Sequence, residues 1–332
     1  MRRTLLPLLI LLTLLALLPG GCTPASVSGD HFSLDTIISI TLYDTQDAAI
    51  LQQCWDRIDE LEDTLSRTRV QSDIYRINHA QGKPVTVRPE TAELLSTALE
   101  ICKESQGALD ITIGPVTELW NFKSSDPQLP DAGVLEEAVG RVGYDRVVLS
   151  GDTVTLPQGM ALDLGAIAKG YIADELTTTL QQAGCESALL NLGGNVLTLG
   201  EKPDHSPWVI GIRDPEGSAS QSLLNLELNG SKAVVTSGIY ERGFTLQGRR
   251  YHHLIDPDTG WPADNGLASV TIVAASSTLA DGLSTACFVL GVDDGLSLLA
   301  RYEDVEGLFI MQDGSCHTTD GFASLLQSPD PK

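Results

Sequence analysis

Apolar positions along the chain change period several times, and each change marks an element. Ile38, Ile40 and Leu42 alternate with polar neighbours and predict a strand over residues 32–43. Leu51, Trp55, Ile58, Leu61 and Leu65 keep helical spacing and predict a helix over 48–65. A second helix is expected over 89–105, with Pro89 suitably placed at its start. Residues 108–114 read as a short apolar strand or turn ending in Gly-Pro, 123–130 as a loop, and 134–142 as a short helix. Short strands follow at 146–149, 153–156 and 160–164, the last running into a helix over 165–183. Further strands are expected at 187–192, 196–199, 208–213, 223–228, 233–236, 243–246 and 267–274. Helices at 276–290 and 293–301 and a strand at 305–311 complete the pattern. Hairpin-like neighbours outnumber βαβ units, so the class expected is α+β: largely antiparallel sheets with packed helices, in one domain over 32–325, with a tail at 326–332.

The first residues follow a different rule. Met1-Arg2-Arg3 precedes an apolar run over 5–18 that is short for a membrane span and stops at Pro19-Gly20-Gly21-Cys22. This resembles a bacterial lipoprotein signal: residues 1–21 removed, Cys22 acylated, 22–31 a flexible tether, and the protein lipid-anchored on the extracytoplasmic side. Pro19 departs from the aliphatic residue usual three before the cysteine, which leaves ordinary cleavage as the alternative.

Charge narrows the partners. The 332 residues carry 44 acidic and 21 basic side chains, a formal charge of −23. Such a surface argues against nucleic acid and against electrostatic docking on anionic lipid. It permits a phosphate ligand, because a divalent cation can supply the positive charge locally. Besides Cys22, the cysteines are Cys54, Cys102, Cys185, Cys287 and Cys316, with no C-x-x-C and no His at ligand spacing. They read as small buried hydrophobes rather than a zinc site or a complete disulfide framework.

Several segments carry candidate chemistry. On a helix over 276–290, Asp281 and Thr285 lie one turn apart on one face. Two hard oxygen ligands suit Mg²⁺; a surface Asp and an ordinary helix Thr are the plainer reading. Asp163-Leu164-Gly165-Ala166-Ile167-Ala168-Lys169-Gly170-Tyr171 sits where a strand should turn into a helix; such an N-terminus attracts anions, and Lys169 can touch a phosphate or pair with a carboxylate. Asn191-Leu192-Gly193-Gly194-Asn195 suits a hairpin turn or a loop whose N–H groups face a ligand. Thr236-Ser237-Gly238-Ile239-Tyr240-Glu241-Arg242 and the pair His252-His253 suit a pocket, although strand alternation turns only one histidine inward. Asp256-Pro257-Asp258-Thr259-Gly260 is first of all a turn.

In this order and spacing, together with Leu34-Asp35-Thr36, Asp110-Ile111-Thr112-Ile113-Gly114-Pro115 and Leu119-Trp120-Asn121-Phe122, these segments resemble the ApbE family, the FAD:protein FMN transferases. The resemblance spans residues 32 to about 325 and implies a tunnelling-fold-like domain. It implies that FAD is bound with Mg²⁺ and that its FMN half moves onto a Thr or Ser hydroxyl of an acceptor, releasing AMP. Metal ligands would be Asp281, Thr285 and the carbonyl of Ala166. Asp163 and Lys169 would lie against FAD, with Trp120, Asn121, Phe122, Gly193, Gly194, Thr236, Ser237, Gly238 and the backbone near Ile255 lining its site. His253 would sit by the pyrophosphate and relay the acceptor's proton, with Asp163 as the alternative base. Leu34 stands where the family usually has a flavin-contacting Met. Expected acceptors are flavoprotein subunits of Rnf- and Nqr-type membrane redox complexes. The same site with water as acceptor would be an FAD pyrophosphatase, and a flavin-binding lipoprotein without activity is the non-enzymatic alternative.

Overall fold

The computed structural model describes residues 26–218 and 221–327; Cys22 and the expected signal segment lie outside them. An eight-stranded sheet, antiparallel at every pairing, organises the chain. Its spatial order is β1 (Val27–Ser33), β2 (Thr36–Leu42), β6 (Ala188–Leu192), β7 (Asn195–Leu199), β10 (Lys232–Gly238), β13 (Leu267–Ala274), β14 (Glu306–Met311) and β15 (Cys316–Thr318). Three small sheets surround it: β3 (Val85–Thr86), β5 (Thr153–Thr155) and β4 (Val148–Ser150); β8 (Trp208–Arg213) and β9 (Ser222–Leu228); and β11 (Gly243–Leu246) and β12 (Arg249–His252). The α-helices among the described residues are α1 (Ala48–Leu65), α2 (Asp73–Asn78), α3 (Pro89–Glu104), α4 (Gly114–Trp120), α5 (Ala132–Val139), α6 (Ala168–Gln182), α7 (Ser277–Leu290) and α8 (Val292–Leu299). The antiparallel α+β class is as expected.

Strand alternation divides the core in two. Ile38, Ile40, Leu190, Val235, Val270 and Ile272 point to one face and merge with the apolar stripes of α1, α3, α6 and α7. On the other face Val234, Val273, Leu308 and Ile310 pack under the β8–β9 hairpin, with Trp208 and Phe322. Cys54, Cys102, Cys185 and Cys287 are buried free thiols, as expected of small hydrophobes, whereas Cys316 is exposed.

The structure corrects the pattern where turns are short. The single strand expected over 32–43 is a hairpin: Ser33 pairs with Thr36, and Leu34 and Asp35 both take left-handed φ values of 55° and 59°. A two-residue hairpin turn demands this, but Leu-Asp lacks the Asn-Gly signature that would announce it. β1 begins at Val27, so the sheet claims part of the stretch expected as a tether. At the other end, Leu326 bridges Leu226, which ties the start of the expected tail to β9. Residues 160–164 form no strand, only a bridge from Ala161 to Ile113, and α6 starts at Ala168 rather than at residue 165. Of the strand or turn expected at residues 108–114, residues 108–113 take the turn and lead into α4, whose Pro115 sits in the first turn.

Candidate active site

Helix α7 is placed by its neighbour before any chemistry is considered. Asp174 of α6 accepts hydrogen bonds from the first backbone amides of α7, Ser277 N at 2.8 Å and Thr278 N at 2.9 Å. This satisfies orphan donors at a helix start and puts a carboxylate against the positive end of its dipole. Gly170 sets the approach distance: a Cβ there would lie 2.3 Å from Ser277 O and 2.7 Å from the Asp281 Cβ. Gly170→Ala is therefore expected to cost about 1–3 kcal/mol by overpacking and to push Asp281 out of place. An unchanged denaturant midpoint would contradict that contact.

Asp281 is 3% exposed, and its Oδ2 accepts from Gly170 N at 2.9 Å. Its Oδ1 faces Lys169 Nζ at 3.6 Å. Lys169 in turn donates to Asn195 Oδ1 at 3.1 Å, while Asn195 Nδ2 is a buried donor with no partner. One turn along α7, Ser284 donates to the Asp281 carbonyl at 2.8 Å. Its single proton being spent there, Ser237 must donate to Ser284 Oγ (2.8 Å), and Thr285 to Ser237 Oγ (3.3 Å). The relay leaves the lone pairs of Thr285 Oγ1 free to bind something else.

These residues fit Mg²⁺. A buried carboxylate with one direct hydrogen bond and a hydroxyl one turn away are hard oxygens, as the Ala166 carbonyl expected from the resemblance would be, whereas zinc would want His or Cys. Among the described residues no group of three or more His, Cys, Asp or Glu could hold a metal. A cation held there would therefore complete its shell with water or ligand phosphate oxygens, as Mg²⁺ commonly does.

The chain from Asp163 to Gly170 spans the floor between α4 and α7. Asp163 Oδ1 accepts from Gly165 N at 2.9 Å, and Oδ2 accepts from Thr117 Oγ1 of α4 at 2.8 Å. Arg67 Nε approaches the same Oδ2 at 3.6 Å. Asp163 is thus fixed in place, and two of its partners were not foreseen. Thr117 and Arg67 have no periodic or motif signal, because their role comes from where α4 and the loop after α1 fold back.

His253 is half-buried, and its Nδ1 lies 3.2 Å from the Arg242 carbonyl. A carbonyl can only accept, so Nδ1 carries the proton and Nε2 is left as the basic nitrogen. Burial pushes the imidazole pKa down to about 4, and the positive charges of Arg242 and Lys169 act in the same direction. His252 points the other way, into the core against Phe288, and is also pushed down to about 4 by burial. Alternation does turn the two histidines apart.

Two hairpin turns close the rim. Gly193 and Gly194 join β6 to β7 with φ values of 61° and 100°, the geometry of a two-residue turn that only glycine adopts without strain. A Cβ on Gly193 would lie 2.3 Å from Thr36 Oγ1, so this turn sits directly against the β1–β2 turn. There Leu34 packs on the main core, and Asp35 pairs with Lys123, which holds the Asp35 carboxyl below the usual range.

Some expected site residues are placed differently. Trp120 is 1% exposed and donates through Nε1 to Gly260 O at 2.7 Å, at the centre of a third core with Tyr251 and Ile255. Its indole therefore supports the site and does not line it; Phe122, parallel to it at 5.5 Å, is the partly exposed ring. Asn121 is the exposed left-handed cap of α4. Thr236 bonds Thr271 at 2.8 Å on the face of β10 opposite Ser237, so its side chain points away from Asp281 and Thr285. Gly238 is filled by Tyr240, whose ring lies 2.7 Å from where a Cβ would be.

A buried acid–lysine pair beside free hydroxyl lone pairs and next to a Gly-Gly turn suits a polyphosphate-bearing substrate, and the comparisons agree. The chain is 40% identical over 277 residues, 82% of its length and 85% of the other's, to an FAD:protein FMN transferase of Klebsiella pneumoniae. It is 36% identical over 320 residues to one from Treponema pallidum, covering 90% of this chain and 88% of that one. The crystal structure of an ApbE protein from Thermotoga maritima superimposes with a TM-score of 0.84 at 32% identity, over 91% of this chain and all of that one. The class is therefore that of the flavin-transferring enzymes. Residues 34–309 match the ApbE family, and the chain belongs to it.

Proposed function

We propose that this chain moves the FMN half of FAD onto a Thr or Ser hydroxyl of an acceptor protein and releases AMP, with Mg²⁺ as the metal. The observation that carries it is the buried Asp281, held by Gly170 N and faced by Lys169, beside the uncommitted oxygen of Thr285. Asp281, Thr285 and the Ala166 carbonyl would hold the cation. When bound, Mg²⁺ supplies stabilisation of charge on the pyrophosphate oxygens and a fixed direction for the leaving group.

The chain's own residues do the rest. Lys169, whose ammonium lies between Asp281 and Asn195, would donate to a phosphate oxygen. The unpartnered Asn195 amide, at the start of β7 beside the Lys169 ammonium of α6, offers a second donor. His253 Nε2 accepts the hydroxyl proton as the acceptor oxygen attacks phosphorus, and the bridging P–O bond to AMP breaks. Asp163, clamped by Thr117 and Gly165, positions the segment that presents Ala166. Closing the site in a low-dielectric cleft makes each of these charges count for more than in water.

Incubation with FAD, Mg²⁺ and the soluble domain of an Rnf- or Nqr-type flavoprotein subunit tests the reading. Flavin fluorescence that stays on the denatured acceptor supports it; free FMN and AMP without labelled protein mean an FAD pyrophosphatase. Because Asp281 is the only carboxylate of the proposed set, Mg²⁺ should bind the protein alone weakly and the FAD complex at least about tenfold more tightly, since phosphate oxygens complete the shell. Titration calorimetry with and without FAD checks this, and equal affinities would count against it. An acyl chain on Cys22 would hold the enzyme at the extracytoplasmic membrane face, where such acceptors lie. Among the described residues no helix is long and apolar enough to cross a membrane.

A further inference from the structure

Helix α7 sets two proposed cation ligands on one face, and the hydroxyl beside them serves a different purpose. Ser284 precedes Thr285 and is turned about 100° from it around the helix axis, as 3.6 residues per turn require. Ser284 is fully buried, Ser237 on β10 is nearly so, and Thr285 is half-buried. The three hydroxyls form a row. Ser284 Oγ lies 2.8 Å from the Asp281 carbonyl and 2.8 Å from Ser237 Oγ, which in turn lies 3.3 Å from Thr285 Oγ1. The row thus begins and ends on the two residues proposed to hold the metal.

The direction of the row is fixed from one end. Each hydroxyl has one proton and two lone pairs, and a backbone carbonyl can only accept. Ser284 therefore spends its proton on Asp281, Ser237 on Ser284, and Thr285 on Ser237. Every proton is passed toward the core, so Thr285 Oγ1 shows only lone pairs on its other side. A freely turning hydroxyl would spend part of its time with the proton where a cation has to sit. Presetting the rotor removes that cost. The row is not needed to hold the helix: Asp174 fixes its first turn, and Leu283 and Phe288 anchor it in the main core. Ser237, expected against FAD, commits its hydroxyl to this row instead.

We propose that Ser284 and Ser237 are positioning residues for the metal: through this row they hold Thr285 with its oxygen bare toward a cation at Asp281. The inference rests on the metal assignment of the transferase reading and deepens it. Hydrogen-bond partners of metal ligands tune affinity strongly, and their loss commonly costs about 10–100-fold. Removing the Ser284 hydroxyl leaves Ser237 without its acceptor, so the Ser237 proton turns to Thr285 Oγ1 and takes a lone pair meant for the cation. Removing the Ser237 hydroxyl takes away the acceptor of Thr285 and frees its rotor.

Titration calorimetry with Mg²⁺, on the chain saturated with FAD and without acceptor, compares the wild type, Ser284→Ala, Thr285→Val and the double variant. Ser284→Ala should weaken Mg²⁺ binding at least about tenfold, while its FAD affinity without metal and its circular dichroism stay at wild-type values. In the Thr285→Val background the same substitution should change Mg²⁺ affinity by less than about twofold, because the path through Thr285 is already cut. Ser237→Ala should weaken Mg²⁺ binding in the same direction, and it carries the test if Ser284→Ala does not fold. Unchanged Mg²⁺ affinity in the serine variants overturns the proposal. So does a full tenfold loss from Ser284→Ala in the valine background, which would mark a general loss of packing. A Thr285→Val chain that binds Mg²⁺ like the wild type overturns it as well. No Mg²⁺ uptake by the wild-type FAD complex would instead sink the metal assignment itself, and this inference with it.

Discussion

Asp281→Ala is expected to abolish FMN transfer, by about three orders of magnitude or more, with the fold intact. The magnitude follows if Asp281 is, as proposed, the anionic ligand of a cation that would stabilise charge at the reacting phosphate. The carboxylate is buried and its principal partners are one amide and one ammonium, so its removal leaves Gly170 N–H unpaired and Lys169 without its facing charge. The first costs about 1–3 kcal/mol, which a protein of this size withstands. Asp281→Asn separates charge from shape: it keeps the acceptor for Gly170 N–H and should be almost as inactive as Ala. Covalent flavin on denatured acceptor gives the rate, and circular dichroism the fold. Near-normal turnover of Asp281→Ala at saturating Mg²⁺ would refute the assignment.

His253→Gln is expected to slow transfer about a hundredfold, the usual contribution of a positioned base. The same substitution should alter the pH profile. In the folded protein His253 has its pKa lowered to about 4, from an ordinary value near 6.5, chiefly by burial. The neutral, proton-accepting form therefore persists well below pH 6, and the acid limb of the wild-type profile should fall near pH 4–5 rather than 6.5. The sign for stability is fixed by the same shift. Between the two values the unfolded chain binds the proton and the folded one does not, so stability present above about 6.5 is lost as pH falls toward 4. His252, pushed to about 4 as well, adds to that acid lability. Gln cannot take the proton, so the acid limb due to His253 should vanish in the variant. A normal rate and an unchanged profile would exclude His253 and move attention to Asp163.

How much of this was legible beforehand depends on the length scale of each feature. The helix at Ala48–Leu65 was readable to the residue, because its five apolar positions keep one phase and Asp47 caps it. The Asp281–Thr285 spacing was readable because i and i+4 share a face whatever else the helix touches. The Leu34–Asp35 turn was not, since two residues in left-handed conformation are dictated by the strands they join and not by their own preference. Trp120 shows a different failure. A motif can say that an aromatic belongs near a site, but only the packing of Tyr251, Phe244 and Trp261 around it reveals that the indole is buried. Thr236 fails for the simplest reason: neighbours in a strand face opposite ways, and its motif also holds Ser237, which took the inward position. Arg67 and Thr117 reach Asp163 only through tertiary folding, which leaves no local trace in the residues around them.

The decisive measurement is a crystal of the protein grown with FAD and Mn²⁺ in place of Mg²⁺, examined for anomalous scattering. An anomalous peak about 2.1 Å from Asp281 Oδ1, shared with Thr285 Oγ1 and the diphosphate oxygens, is what the site requires. A diphosphate bound with Asp281 still turned to Lys169 and no peak between them would contradict it.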